Sequence, residues 1–142
     1  MGKKVLVVED SQIQRQTIHR IMEALEWRVV EAAHGKQAME QLLRHDDIEL
    51  ITLDWHMPVM GGLEFLSTFR SMPEFAETPK VMMMSFERTM PAIVRAISAG
   101  ADEYIIKPFT LEIFTQKLNA LGFPCRFPFD EKIHLPDDEA GE

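Results

Sequence analysis

Short apolar runs alternate with amphipathic stretches along most of the chain, and this alternation predicts its secondary structure. A short apolar run is typical of a buried strand, whereas apolar residues three and four positions apart mark one face of a helix. Runs of the first kind predict strands at residues 5–8, 29–32, 50–53, 81–84 and 104–106. An amphipathic stretch follows each run, so the pattern indicates five strand–helix pairs.

Polar residues at the predicted helix starts support this interpretation. Ser11 is a suitable N-cap, with Gln14 three residues later as its partner in a capping box, and Thr89 and Thr110 are suitable caps for the fourth and fifth helices. The spacing predicts these buried helix positions, in chain order: Ile18, Ile21, Met22 and Leu25; Ala38, Met39, Leu42 and Leu43; Leu63, Leu66 and Phe69; Met90, Ile93, Val94 and Ile97; Leu111, Phe114, Leu118 and Leu121.

Buried strands that alternate with amphipathic helices indicate an α/β fold, with a parallel sheet covered on both faces. Right-handed crossovers then make it a doubly wound (βα)5 domain. The chain contains no long internal linker, so we expect one domain over residues 1–122, followed by a C-terminal tail over residues 123–142.

The predicted strands end in polar residues. Glu9 and Asp10 follow the first strand, Asp54 the third, Ser85 the fourth and Lys107 the fifth. Each residue taken alone is explained as a turn, a cap or a surface charge. However, ligands of open parallel sheets bind outside the carboxyl ends of the strands, where all these residues would meet.

Three carboxylates at one sheet edge repel one another unless a cation neutralises them. An acidic site made of oxygen ligands favours Mg²⁺, which takes one or two carboxylates and accompanies phosphoryl groups. The sequence therefore suggests phosphoryl chemistry, in which Asp54 is the nucleophile that forms an acyl phosphate. Lys107 and Mg²⁺ would offset the charge of the phosphoryl oxygens.

These residues together resemble a response regulator receiver domain of the single-domain, chemotaxis type. The resemblance covers residues 3 to 121 and implies a flavodoxin-like receiver fold. It implies Glu9 and Asp10 as the acidic pair that binds Mg²⁺, Asp54 as the phosphoacceptor, and Ser85 and Lys107 as the residues that contact the phosphoryl group.

The resemblance also implies a switch and a further metal ligand. Tyr104 matches the aromatic switch position and would move together with Ser85, which would remodel the surface of the fourth helix, fifth strand and fifth helix. The backbone carbonyl of His56 would ligate Mg²⁺, and the peptide bond between Lys107 and Pro108 is a candidate for the cis form.

Two positions beside the site depart from the family pattern. Similar domains usually have a small residue directly after the Ser or Thr, where this chain has the bulky Phe86, and His56 is uncommon at its position. We expect both side chains to modulate the lifetime of phosphorylated Asp54, because they flank the phosphoryl site.

Composition and charge exclude several classes of function. The 142 residues carry a net charge of −8 with a pI near 5.1, which disfavours a binder of nucleic acid backbones. The single cysteine, Cys125, cannot form an intramolecular disulfide, and the apolar run after Met1 is too short for a signal peptide. No window reaches the apolar length of a membrane span, so we expect a cytoplasmic protein.

Soft metals and zinc are disfavoured as well. The run Met82, Met83 and Met84 lies in a predicted strand, where methionine usually fills the core rather than binds copper. The five histidines have no paired ligand spacing, which argues against a zinc site.

Three functions of different classes remain. The first is a switch that accepts a phosphoryl group from a histidine kinase or a His-phosphotransfer protein and signals by binding a protein target, as a monomer or a phosphorylation-dependent dimer. The second is a phosphate-independent pseudo-receiver, which the intact site residues disfavour. The third is an Asp-nucleophile phosphatase, which would need an acid two residues after Asp54, where this chain has His56.

The tail is the least determined part of the chain. It begins with an apolar, proline-punctuated segment at 123–129 and continues with a mainly acidic one at 130–142. Its phenylalanines are expected either to pack on the domain, with a disordered acidic end, or to dock on a partner or a second subunit.

Overall fold

The computed structural model describes residues 2–125. The strands of this region are β1 (Lys4–Val8), β2 (Arg28–Ala32), β3 (Ile48–Asp54), β4 (Lys80–Ser85) and β5 (Glu103–Ile106). Its α-helices are α1 (Gln12–Ala24), α2 (Gly35–Arg44), α3 (Gly62–Ser71), α4 (Met90–Ala99) and α5 (Leu111–Ala120). A 3₁₀ turn at Pro73–Phe75, which the apolar pattern did not predict, links α3 to β4.

The strands form one parallel sheet in the order β2-β1-β3-β4-β5. The chain moves outward from β1 to β2 on one side, then returns to β3 on the other side and continues to β5. The direction of winding therefore reverses between β1 and β3, and a crevice forms at their carboxyl ends. This topology confirms the predicted doubly wound α/β fold.

Two apolar cores lie on opposite faces of the sheet. Alternate strand residues such as Leu6 and Ile51 pack with α2, α3 and α4, whereas Val7 and Leu50 pack with α1 and α5. Because successive side chains of a strand point to opposite faces, strands covered on both faces are apolar throughout. This explains why the central strands were visible in the sequence as largely apolar runs, whereas the edge strand β2 contains Glu31 and is only partly buried.

The predicted apolar face of α4 is wrong at three of its four positions, since Ile93 alone of the four is partly buried against the core. Ala92 and Ala96 are the buried residues of this helix, whereas Met90 is 66% exposed and Val94 and Ile97 are exposed too. Small residues inside allow the helix to lie close to the sheet, and the larger apolar residues are left on its outer side. The spacing of the large residues therefore identified the helix but not the side that it buries.

The apolar face of α2 also needs one correction. Ala38 and Leu42 are buried as predicted and Met39 is partly buried, but Leu43 is 75% exposed. The helix is amphipathic with a narrower buried stripe than the sequence suggested, because α2 lies near the edge of the sheet, over β2 and β1.

The start of α1 contains only half of the predicted capping box. The Ser11 hydroxyl accepts the backbone N–H of Gln14, at 3.3 Å. The return bond is absent, because the backbone N–H of Ser11 donates to the Glu9 carboxylate, at 3.2 Å. The Gln14 side chain is therefore free for a different partner.

The packed domain extends slightly beyond α5. Phe123 is buried, and its ring meets the ring of Trp27 edge-on with 5.1 Å between centroids. Predictions for residues 126–142 lie outside the described part of the chain. Within residues 2–125, no helix has both the length and the apolar character needed to cross a bilayer.

Candidate functional site

The site lies at the carboxyl ends of the central strands, next to the reversal between β1 and β3. Asp54 is the last residue of β3, Glu9 follows β1, and Lys107 follows β5. The α3 helix begins close to Asp54: a side chain at Gly62 would lie 2.3 Å from the backbone oxygen of Asp54, and the Gly62 N–H donates to Trp55 at 2.7 Å. Only glycine fits this approach, which fixes the loop after Asp54.

Lys107 connects three other side chains of the site. Its ammonium donates three hydrogen bonds, to Asp54 at 2.8 Å, to Glu9 at 3.0 Å and to the side-chain oxygen of Gln14 at 2.7 Å. An ammonium group has three donors, so all of them are used. The side chains of Lys107, Glu9 and Asp54 are all buried, and their ion pairs are therefore weakly screened by solvent.

Three carboxylates meet beside this lysine. Oxygen atoms of Glu9, Asp10 and Asp54 all lie within 4.8 Å of one another. Lys107 supplies one positive charge against these three negative charges, so the group is short of positive charge. Oxygen donors that are crowded and under-neutralised fit a hard divalent cation such as Mg²⁺, and the residues present therefore suit the predicted metal.

Burial and the neighbouring charges shift the pKa values of Glu9, Asp54 and Lys107. Burial raises the pKa of Glu9 from 4.5 to about 7, against the opposing charge of Lys107. Burial also raises the pKa of Asp54, although the hydrogen bond from Lys107 opposes the shift. Burial alone would lower the pKa of Lys107, but its hydrogen bond to Asp54 and the charge of Glu9 outweigh burial and raise it. Without a cation, the fold therefore resists ionisation of these carboxylates.

Ser85 and Tyr104 meet at one loop residue. The Ser85 hydroxyl, fully buried at the end of β4, accepts the backbone N–H of Glu87 at 2.9 Å. The Tyr104 hydroxyl donates to the backbone carbonyl of the same Glu87, at 2.8 Å. The predicted switch residues are thus joined through the backbone of the β4–α4 loop. Burial raises the pKa of the Tyr104 hydroxyl, which favours its role as a neutral donor.

His56 and Phe86 lie at the open side of the site. The His56 ring stacks on Trp55, with 5.8 Å between centroids, and its Nε2 atom lies 3.5 Å from the Glu87 carboxylate. Phe86 is 58% exposed, and its ring centroid is 5.5 Å from the Lys107 nitrogen. Phe86 therefore does not fill the core, but lies next to the lysine.

The Lys107–Pro108 peptide bond is cis in the structure. It leads into the β5–α5 loop, where Pro108 itself is exposed. Another cis bond, Thr78–Pro79, precedes β4 and lies away from the strand ends that form the site.

Four hydrogen bonds at the site were not foreseen from the sequence. They are the bond from Lys107 to Gln14, the bond from the Arg15 guanidinium to the backbone carbonyl of Glu9 at 2.8 Å, and the bonds of Glu87 to both switch residues. Gln14 and Arg15 lie in the first turns of the helix that follows the acidic pair. This position in the sequence is the feature that could have indicated their contacts with the site.

Comparisons with family models and with known proteins agree on one family. The family model described as response regulator receiver domain matches residues 5–119. Chemotaxis protein CheY1 of Helicobacter pylori is 36% identical over 119 residues, which cover 83% of this chain and 95% of that protein. A chemotaxis protein CheY homolog of Campylobacter jejuni is 34% identical over 116 residues, covering 81% of this chain and 88% of that protein.

Solved structures agree with this match. The chemotaxis response regulator CheY4 of Vibrio cholerae superposes with a TM-score of 0.78 at 27% identity, covering 85% of this chain and 99% of that one. The predicted flavodoxin-like receiver fold is therefore confirmed. The family match and these relatives show that the chain belongs to the response regulator receiver domain family, whose members are signalling proteins of two-component systems rather than conventional enzymes.

Proposed function

We propose that this protein is a phosphorylation-activated switch that accepts a phosphoryl group from a phosphohistidine donor on Asp54 and signals by binding another protein. The observation that carries the proposal is the position of the Asp54 carboxylate. It is buried at the end of the central strand, 2.8 Å from the Lys107 ammonium and within 4.8 Å of the Glu9 and Asp10 carboxylates. The donor is a histidine kinase or a His-phosphotransfer protein.

The transfer step is a displacement at phosphorus. A carboxylate oxygen of Asp54 forms the new O–P bond while the N–P bond of the donor histidine breaks, and the electron pair of that bond returns to the imidazole nitrogen, which takes up a proton. Lys107 orients the attacking carboxylate and then offsets negative charge on the phosphoryl oxygens.

Glu9, Asp10 and Asp54 are the side chains that would hold Mg²⁺, together with the backbone carbonyl of His56. The bound ion supplies charge neutralisation for the phosphoryl oxygens and removes the repulsion among the carboxylates. Arg15 fixes the backbone between the acidic pair and α1 through its bond to the Glu9 carbonyl, and its own guanidinium is held by Glu31 at 3.0 Å.

Switching follows from the shared contact at Glu87. When the Ser85 hydroxyl turns to donate to a phosphoryl oxygen, it gives up the Glu87 N–H. Of these two hydrogen bonds to the Glu87 backbone, the one with Ser85 is then lost. The other, from the Tyr104 hydroxyl to the Glu87 carbonyl, transmits the movement of the loop to Tyr104. Phosphorylation thereby changes the equilibrium between two arrangements of the β4–α4 loop and the tyrosine.

The target surface is formed by α4, β5 and α5. Its apolar side chains are exposed on α4, as described for Met90, Val94 and Ile97, and Ile113 of α5 is exposed beside them. A groove between these elements is lined by residues that include Ile97, Tyr104 and Ile113. Exposed apolar residues clustered next to a switch residue favour a protein partner.

The test is incubation with acetyl phosphate, with and without Mg²⁺, followed by intact mass, beside Asp54→Asn. A Mg²⁺-dependent adduct of one phosphoryl group that Asp54→Asn abolishes is the expected result. If no adduct forms although Mg²⁺ binds, the proposal is wrong and the phosphate-independent pseudo-receiver takes its place.

Phe86 and His56 are expected to set the lifetime of phosphorylated Asp54. Phe86 lies over Lys107 at the open side of the site and limits the approach of water, so Phe86→Ala should shorten the lifetime several-fold, and His56→Asn should change it. Decay of the adduct, followed by mass, measures both effects. Met90→Ala, which removes another exposed apolar side chain after β4, is the control. Equal decay in wild type and both site variants would contradict this role.

A further inference from the structure

Gln14 holds a place at the site that the phosphoryl-transfer mechanism above does not explain. Its side-chain oxygen lies 2.7 Å from the Lys107 nitrogen, the shortest of the three bonds that the lysine makes. The two residues are separated by 93 positions in the chain, so tertiary packing of α1 against the β5–α5 loop creates the contact.

Local structure at the start of α1 makes this contact available. In a complete capping box, the Gln14 side chain would return to the backbone N–H of Ser11. Here the Glu9 carboxylate accepts that N–H, and the Ser11 hydroxyl still caps the Gln14 N–H. The helix start therefore needs no side-chain bond from Gln14, and the amide turns to Lys107.

The three partners of Lys107 differ in what the reaction demands of them. Asp54 receives the phosphoryl group, and Glu9 belongs to the carboxylate cluster suited to the cation. Both must therefore weaken their bonds to the lysine during the cycle. Gln14 is neutral and is neither the phosphoacceptor nor a member of that cluster, so its bond to the lysine can persist throughout.

This inference rests on the proposed function. We propose that Gln14 is a positioning residue for phosphoryl transfer, which tethers the Lys107 ammonium at the open side of the site while the lysine exchanges carboxylate oxygens for phosphoryl oxygens. A lysine has a long, flexible stem, so without this tether the ammonium would sample more positions once its carboxylate partners are engaged elsewhere. A neutral amide acceptor suits the task, because it adds no negative charge that would repel the phosphoryl group.

The test compares Gln14→Met with Gln16→Met. Methionine matches the length of glutamine but is a much weaker acceptor, and Gln16 is exposed on the same helix and does not bond to Lys107. With saturating Mg²⁺ and acetyl phosphate, Gln14→Met should phosphorylate about tenfold more slowly than wild type, as expected for loss of one hydrogen bond to a charged group. Gln16→Met should match wild type.

Two further measurements separate positioning from a general structural effect. Calorimetric titration should give a Mg²⁺ affinity for Gln14→Met within twofold of wild type. NMR of lysine labelled with ¹⁵N at Nζ should show a protected Lys107 ammonium signal, assigned by Lys107→Arg, that Gln14→Met loses.

Phosphorylation of Gln14→Met at the wild-type rate overturns the inference and leaves the proposed function intact. The inference is also overturned if an equal loss of Mg²⁺ affinity accounts for the slower rate, or if the ammonium signal is unchanged. Absence of an adduct on the wild-type protein overturns both the inference and the proposed function.

Discussion

Lys107 and Arg70 are cations with largely buried side chains on opposite flanks of this domain, and they differ in the number of carboxylates around them. Lys107 at the candidate site faces the carboxylates of Glu9 and Asp54, with Asp10 beside them. Arg70 of α3 lies on the other flank and pairs with the carboxylate of Asp102, at 2.8 Å. Both side chains are 9% exposed, so burial alone does not distinguish them.

The Arg70 network is complete as it stands. Its guanidinium donates to the backbone carbonyls of Gly100 at 3.0 Å and Phe75 at 3.1 Å, in addition to Asp102. The Asp102 carboxylate also accepts the backbone N–H of Val81, at 2.9 Å, where β4 begins. Lys80 lies 4.0 Å from the same carboxylate, so the Asp102 charge is fully neutralised, and the network joins α3, β4 and the loop before β5.

The Lys107 network is short of positive charge by contrast. It has three carboxylates for one ammonium group, and burial raises the pKa of both Glu9 and Asp54. A balanced network stabilises the fold without help, whereas an unbalanced one stores repulsion that a cation or a proton relieves. The balance of charge therefore distinguishes the structural ion pair of Arg70 from the candidate cation site at Lys107.

Breaking the balanced network should have the largest effect on stability. Arg70→Met keeps much of the side-chain volume but removes the guanidinium that donates to the Asp102 carboxylate and to two backbone carbonyls, so the free energy of unfolding should fall by about 3 kcal/mol. Urea denaturation measures it. A fall below about 1 kcal/mol would mean that the pair contributes little and that the contrast between the two flanks is not real.

The second largest effect is expected in the pH dependence of stability, which depends on Glu9 in the Lys107 network. The pKa of Glu9 is raised from 4.5 to about 7, so the folded state holds this proton more tightly than the unfolded chain. The stability gained is fully present below about pH 4.5 and is lost as pH rises through about 7. Allowing for partial solvent screening, metal-free wild type should lose about 2 kcal/mol relative to Glu9→Gln between acid and neutral pH.

Urea denaturation in a chelator, across that pH range, is the measurement. Added Mg²⁺ should remove the difference, because the cation binds the ionised carboxylates of the folded state. Parallel pH profiles of wild type and Glu9→Gln without metal would show that Glu9 titrates normally in the folded protein.

The smallest effect is expected at Asp54, the proposed phosphoacceptor. Because burial raises the pKa of Asp54, its ionised form opposes folding. After allowance for partial solvent screening, Asp54→Asn should increase the free energy of unfolding by no more than about 1 kcal/mol at neutral pH without metal. Thermal or urea denaturation beside wild type measures it. Asp102→Asn is the matched control and should reduce stability, since it weakens the pair with Arg70. If both variants shift stability in the same direction, the distinction between the two networks fails.

Much of the fold was predictable, because a sheet covered on both faces requires apolar strands and amphipathic helices. Helix α4 shows the limit of this reasoning. Met90, Val94 and Ile97 have the spacing of a buried face, yet Ala92 and Ala96 are the buried residues. Periodicity identifies an apolar stripe, but whether a stripe of large or of small residues meets the sheet depends on the space between the helix and its neighbours.

The position of the candidate site was predictable to a similar extent. Glu9, Asp10, Asp54 and Lys107 were found because each follows an apolar strand, and parallel strands end at one edge. The bond between Gln14 and Lys107 was not found, since it depends on how α1 packs beside the β5–α5 loop. Side chains at strand ends are placed by topology, whereas side chains on helices are placed by packing.

The sequence by itself determined the strands, the helices, the winding of the chain and the residue types at the strand ends. These features depend on local pattern and on the few ways in which strand–helix pairs connect. Only the tertiary structure decided that Lys107 bonds to Gln14 as well as to the carboxylates, and that the backbone of Glu87 joins Ser85 to Tyr104. The bonds of Lys107 to Gln14 and of Tyr104 to Glu87 join residues 93 and 17 positions apart in the chain, and their geometry is fixed only when the whole domain packs.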